Sequence, residues 1–191
     1  AVREQAAAFF GASHPERMIF TANTTEGVNI ALKGALNPGD HVLYSPLEHN
    51  AVWRPLCTMA QRDHIEIEMV PANEKGVIDL EKLEQMIRPN TKMVCCLHGS
   101  NISGAIQPVE QVGQICRRHG LLFLMDAAQT AGGFPIDVEQ WCVDLMAVPG
   151  HKSLYGLMGS GLLYVGERVA EDLRSFKEGG TGSQSHSQYQ P

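Results

Sequence analysis

A three-layer α/β/α fold around a mostly parallel seven-stranded sheet, with one strand antiparallel, is what the sequence predicts. Three observations carry that reading. Short apolar runs alternate with helical patterns along almost the whole chain, as βαβ units require. Runs such as Leu121-Leu122-Phe123-Leu124-Met125 are apolar at every position, which suits a strand covered on both faces. The last apolar run follows its predecessor after only the loop 149–160, too short for a helical crossover, so that strand is expected to run antiparallel.

The elements follow in order. A helix over 3–10 opens the chain. Strands are expected at 18–20, 41–44, 65–70, 93–97, 121–125, 145–148 and 161–165, and helices between them at 26–36, 51–61, 80–87, 109–118 and 167–176. Asp79 suits the N-cap of the helix over 80–87, through a side-chain oxygen that accepts from a first-turn N–H. Pro108 suits the first turn of the next, where its missing N–H costs nothing. Gly39 and Gly120 mark stops before strands.

Composition narrows the function. The chain has 191 residues, enough for one domain with a buried core; 43% are hydrophobic and 19% charged, ordinary for a globular protein. No apolar run reaches the roughly eighteen residues of a membrane-spanning helix. A net charge of −6 without a basic stripe argues against nucleic acid as a partner. Cys57, Cys95, Cys96, Cys116 and Cys142 form no Cys-x-x-Cys pair, which argues against a zinc site or a disulfide framework; with no signal peptide at the visible start, a reducing cytoplasm is expected. Both ends read as cut: the chain opens inside a helix and closes in a Gly/Ser/Gln-rich run. The expected division is a large domain over 1–178 and a truncated loop over 179–191 leading to a C-terminal domain outside this chain.

In such a sheet ligands gather at the carboxyl ends of the strands. After the first strand, Thr24 and Thr25 stand at a helix start, where free N–H groups and hydroxyls suit a phosphate; a plain N-cap by either threonine is the competing reading. After the second comes His49, whose imidazole can stack on a ring or move protons. After the fourth, Asn101 offers an amide. The fifth ends in Asp126-Ala127-Ala128-Gln129, and a carboxylate beyond so apolar a strand needs a cationic or hydrogen-bonding partner. The sixth leads into Gly150-His151-Lys152, with a lysine placed for imine chemistry if its amine is partly desolvated. Each residue alone has an ordinary structural reading as a cap, turn former, loop ion pair or solvated lysine. Their coincidence on one sheet edge is the signal.

Thr24-Thr25-Glu26, Glu48-His49-Asn50, Ser100-Asn101, Asp126-Ala127-Ala128-Gln129, Gly150-His151-Lys152 and Gly179-Gly180-Thr181-Gly182-Ser183 together resemble the class V aminotransferase group of fold-type I pyridoxal-phosphate enzymes, most of all cysteine desulfurases and selenocysteine lyases. The resemblance implies the large domain of a pyridoxal-phosphate-dependent transferase. It makes Lys152 the Schiff-base lysine, Asp126 the partner of the pyridine nitrogen, and His49 a ring-stacking proton carrier. Gln129 and Asn101 would contact the ring hydroxyl; Thr25, with the backbone near Thr24, would hold the phosphate, and His151 would lie beside it. Thr181 would reach the phosphate of a partner subunit, which implies a homodimer. The implied reaction takes cysteine to alanine and leaves persulfide sulfur on the enzyme for an acceptor protein. The nucleophilic cysteine and the arginine that binds the substrate carboxylate lie, by the same resemblance, outside this chain. A class V aminotransferase, another lyase, or a non-catalytic cofactor-binding or dimerisation module are the alternatives. Two positions depart from the family pattern: Pro149 stands where relatives carry a hydroxyl, and Leu157 where they commonly carry proline.

Overall fold

The structure, a computed structural model, describes residues 1–180. Seven strands form one sheet: β1 (Met18–Thr21), β2 (His41–Tyr44), β3 (Glu66–Met69), β4 (Thr91–Leu97), β5 (Leu122–Asp126), β6 (Leu145–Pro149) and β7 (Gly161–Val165). Their spatial order is β1-β7-β6-β5-β4-β2-β3. Only β7 runs against its neighbours, antiparallel to both β6 and β1; the other pairings are parallel. The short loop before it turns back with no helix, as the sequence predicts.

Successive side chains of a strand point to opposite faces, and the two cores record this alternation. Phe123 and Met125 of β5, with Val94 and Cys96 of β4, pack in a cluster with α1 (Val2–Phe9), α4 (Leu80–Gln85) and α5 (Val109–Arg118) through Ala7, Leu83, Val112 and Cys116. Leu122, Leu124, Met93 and Cys95 point the other way. They pack with α2 (Thr24–Ala35), α3 (Asn50–Arg62) and α6 (Glu167–Ala170) through Val28, Leu32, Leu56 and Val169. Apolar residues at every position of the central strands thus serve two layers at once. Among the described residues no helix is long and apolar enough to cross a membrane.

Two expectations need correction. α2 begins at Thr24 rather than 26, and neither Thr24 nor Thr25 is its cap. Asn23 is: its Oδ1 accepts from Glu26 N at 2.9 Å, while a Glu26 carboxylate oxygen accepts from Ala22 N at 2.7 Å. That reciprocal pair satisfies two orphan donors together and outcompetes a threonine hydroxyl. The helix expected over 167–176 ends at Ala170. Arg174 instead closes the end of α2: its backbone N donates to Gly34 O at 3.1 Å and its guanidinium to the carbonyls of Lys33 and Leu36. Those long-range bonds require the chain to leave helical geometry, so tertiary contacts override local propensity. Asp79 caps α4 by accepting from Lys82 N at 3.0 Å, and Pro108 holds the N-cap position of α5.

Candidate active site

The carboxyl ends of β1, β2, β4, β5 and β6 all open on one edge of the sheet, because the strands that carry them are mutually parallel. A cavity of about 160 Å³ lies there. Its wall includes Thr24, Thr25, His49, Asn101, Asp126, Gln129, His151 and Lys152. Eight of the nine residues singled out from the sequence therefore meet around one space; Thr181 lies outside the described residues. Asp126 and Lys152 share that space, so the acid and the amine do not open onto opposite faces of the molecule.

Each wall has a local cause. At the start of α2, the Asn23 cap leaves the Thr24 hydroxyl buried with no hydrogen-bond partner. The N–H groups of Thr24 and Thr25, at the first helical positions, find no protein acceptor among the described residues. Unpaired donors and the positive end of a helix make this corner suited to an anion. His49 is the N-cap of α3: its Nδ1 accepts from Ala51 N at 3.1 Å. In the neutral ring the proton then sits on Nε2.

Asp126, the last residue of β5, is only 4% exposed. Burial pushes its carboxyl above the ordinary range, while the Ala128 N–H that it accepts at 2.8 Å and the charges of His49 and Lys152 pull it back. A cationic N–H in the cavity would favour its ionised form further. Beyond β6, Lys152 rides on a turn closed by Gly156 N donating to Gly150 O at 2.7 Å and Tyr155 N to Lys152 O at 2.9 Å. Gly132 fits closely against this turn at φ +92°, where an added Cβ would stand 2.3 Å from Ser153 O. Pro149 lines the cavity without an N–H or hydroxyl to offer, and Leu157 is exposed on the following loop.

Sequence reasoning passed over several wall residues. Asn23 lines the cavity and caps α2; its spacing to Glu26 was the available signal. Leu97, Gly99 and Ala51 contribute apolar or backbone surface, which a search for reactive side chains does not see. None of the five cysteines lines the cavity: Cys95, Cys96 and Cys116 are buried, with thiols pushed up mainly by burial. Among the described residues no group of three or more His, Cys, Asp and Glu side chains is placed to hold a metal ion.

Fold and cavity together define a class. The model of the Aminotransferase class-V family matches residues 1–190, and the chain belongs to that family. Within it, the chain is 39% identical over 182 residues to cysteine desulfurase IscS of Shewanella denitrificans, and 37% identical to that of Escherichia coli. Each match covers 93% of this chain and 44% of the relative, so the chain spans less than half the length of the curated relatives it matches. The solved apo structure of a cysteine desulfurase from Thermococcus onnurineus superposes with a TM-score of 0.88 at 32% identity, over 93% of this chain and 45% of that one. A structure described as SspA in complex with cysteine superposes at 0.85 with 31% identity, over 93% of this chain and 52% of that one.

Proposed function

We propose that this chain is the cofactor-binding part of a pyridoxal-phosphate-dependent cysteine desulfurase, an enzyme that takes L-cysteine to L-alanine and passes the sulfur on as a persulfide. The observation that carries the reading is the shared cavity of Lys152, Asp126 and the unpaired Thr24 hydroxyl. The residues fit the cofactor: an orphaned buried hydroxyl and free helix N–H groups suit a phosphate, and a buried carboxylate suits a protonated ring nitrogen. When bound, pyridoxal phosphate supplies an electron sink for the amino-acid substrate.

The chain's own groups then have distinct tasks. Thr24, Thr25 and His151 hold the phosphate end. Asp126 stays ionised against the ring N–H, which keeps the ring electron-poor. His49 covers the ring and holds or moves a proton at Nε2, since Nδ1 is committed to Ala51 N. Asn101 and Gln129 orient the ring through its hydroxyl. Lys152 would provide the amine that holds the cofactor at its aldehyde carbon. By the same resemblance, the cysteine that attacks substrate sulfur and the arginine that binds its carboxylate belong to parts of the enzyme beyond this chain. The active unit is a homodimer in which Thr181 reaches the partner's phosphate. It works in a reducing cytoplasm, hands its sulfur to an acceptor protein, and selenocysteine fits the same apparatus.

Adding pyridoxal phosphate tests the reading. The visible absorbance band of lysine-bound cofactor should appear with the native chain and be absent in Lys152→Ala, and the full-length enzyme should release alanine and sulfide from L-cysteine. No band with the native chain would remove the cofactor assignment. A band without sulfide release would leave a class V enzyme of another specificity.

A further inference from the structure

Beneath the cavity lies a carboxyl group that none of these tasks uses. Glu48 stands in the turn between β2 and α3, directly before His49. Its Oε1 accepts twice, from Ser45 Oγ at 2.6 Å and from Leu97 N at 2.7 Å. Its Oε2 is buried and has no partner. An ionised carboxylate carries charge on both oxygens and needs donors at both, whereas a protonated one needs them only at its carbonyl oxygen. A neutral hydroxyl at Oε2 lacking an acceptor costs less than a bare buried charge there. The groups that face Glu48 do not rescue that charge: Asp126 from β5 opposes its ionisation, and Cys95 and Cys96 of β4 are thiols whose own ionisation Glu48 opposes.

Leu97 pairs with Asp126 in the β4–β5 register, so the backbone that holds Glu48 adjoins the acid of the cavity. Of the two carboxyls, Asp126 feels the positive groups His49 and Lys152, while Glu48 faces no cation: burial raises it most, the Ser45 hydrogen bond pulls it back, Asp126 raises it further and the Leu97 N–H again lowers it. Two such groups in a dry setting share one charge rather than carry two. We propose that Glu48 and Asp126 form a one-charge pair in which Glu48 holds the proton, acting as a neutral positioning residue that pins the His49 turn to β4 and leaves the carboxylate on Asp126. The functional consequence rests on the cofactor reading above; the protonation itself does not. Burial also pushes the Glu48 carboxyl up to about 8, from an ordinary value of 4.5.

The sign of the linked stability follows. With its value raised in the folded state, Glu48 contributes stability that is complete below pH 4.5 and is lost as pH rises through about 8. The test is a carboxyl-carbon NMR titration of the cofactor-free protein, joined to thermal midpoints across that window for the native protein and Glu48→Gln. We expect the Glu48 carbon to titrate near 8 and the native midpoint to fall with rising pH. Glu48→Gln, which cannot ionise, should flatten that fall and bind pyridoxal phosphate within about threefold of native, less than the loss of one hydrogen bond. A Glu48 carbon that titrates in the ordinary carboxylate range overturns the proposal, as does an unchanged pH slope in Glu48→Gln. If the variant fails to fold, the native titration still decides. Failure here would leave the Lys152 absorbance band intact, whereas failure of the cofactor reading would abolish the band and leave the titration unmoved.

Discussion

The Thr24 hydroxyl is the clearest place where a single side chain sacrifices fold stability to a site. It is buried, and the Asn23 cap has taken the partner it would otherwise find. Leaving such a group unpaired costs about 1–3 kcal/mol. Thr24→Val keeps the shape and removes the hydroxyl, so the two effects should separate in sign. We expect the cofactor-free variant to be at least as stable as native in chemical denaturation, by up to about 1 kcal/mol, and its affinity for pyridoxal phosphate to fall roughly tenfold. Unchanged affinity in an absorbance titration would show that the hydroxyl faces no phosphate. The same residue marks a limit of sequence reading. Thr24 was visible as a candidate from its place at a helix start, but whether its oxygen capped the helix or stayed free depended on Asn23 winning the competition. Asp126 was more legible, because a carboxylate ending five apolar residues needs a cationic or hydrogen-bonding partner, although a cap or loop ion pair competed with the cofactor reading until the other strand ends were counted with it. Glu48 was read only as part of a motif, since nothing local tells that its side chain turns inward to Leu97 N, a residue 49 positions away.

At the scale of elements, α2 joins the fold to the site. Its first turn lines the cavity, its buried face of Val28, Ala31 and Leu32 joins one core layer, and its last carbonyls are closed by Arg174. Asn23→Ala removes the side-chain acceptor for Glu26 N and should destabilise the protein by about 1 kcal/mol in denaturant unfolding. Because the fraying would begin at the anion corner, cofactor affinity should weaken in the same variant; Asn23→Asp, which restores the acceptor, should recover the stability. A loss of stability with full cofactor affinity would mean that the first turn is not part of the binding wall. Strands were legible to within a residue or two where alternating side chains feed two cores, as at Phe123 and Leu124. The antiparallel β7 followed from loop length alone. The end of α6 was not legible, because 167–176 keeps a helical pattern and only the distant carbonyls of Lys33 and Leu36 pull Arg174 out of it.

For the molecule as a whole, the loops around the cavity expose more apolar surface than a free surface favours. Tyr155 is 94% exposed, Leu157 83% and Met158 85%, on the loop after Lys152, and Ile102 is 83% exposed beside Asn101. Apolar side chains gathered on loops that flank a site mark a surface for association, and a second copy of this chain is the occupant the proposed homodimer would supply. A net charge of −6 repels a second copy only weakly at ordinary salt, where charges beyond about 8–10 Å are largely screened. Burying Leu157 and Met158 would contribute about 1.5–3 kcal/mol each. Replacing both with aspartate should therefore cost on the order of 3 kcal/mol of association, about a hundredfold in the dissociation constant. Sedimentation of the native protein should show a dimer, and the double variant Leu157→Asp, Met158→Asp should shift toward monomer. Neither residue lines the cavity. The lysine-bound cofactor band should thus survive in the variant, although cofactor affinity should drop if a partner residue completes the phosphate corner. A native protein that sediments as a monomer at all accessible concentrations would sink the dimer and, with it, the role proposed for Thr181.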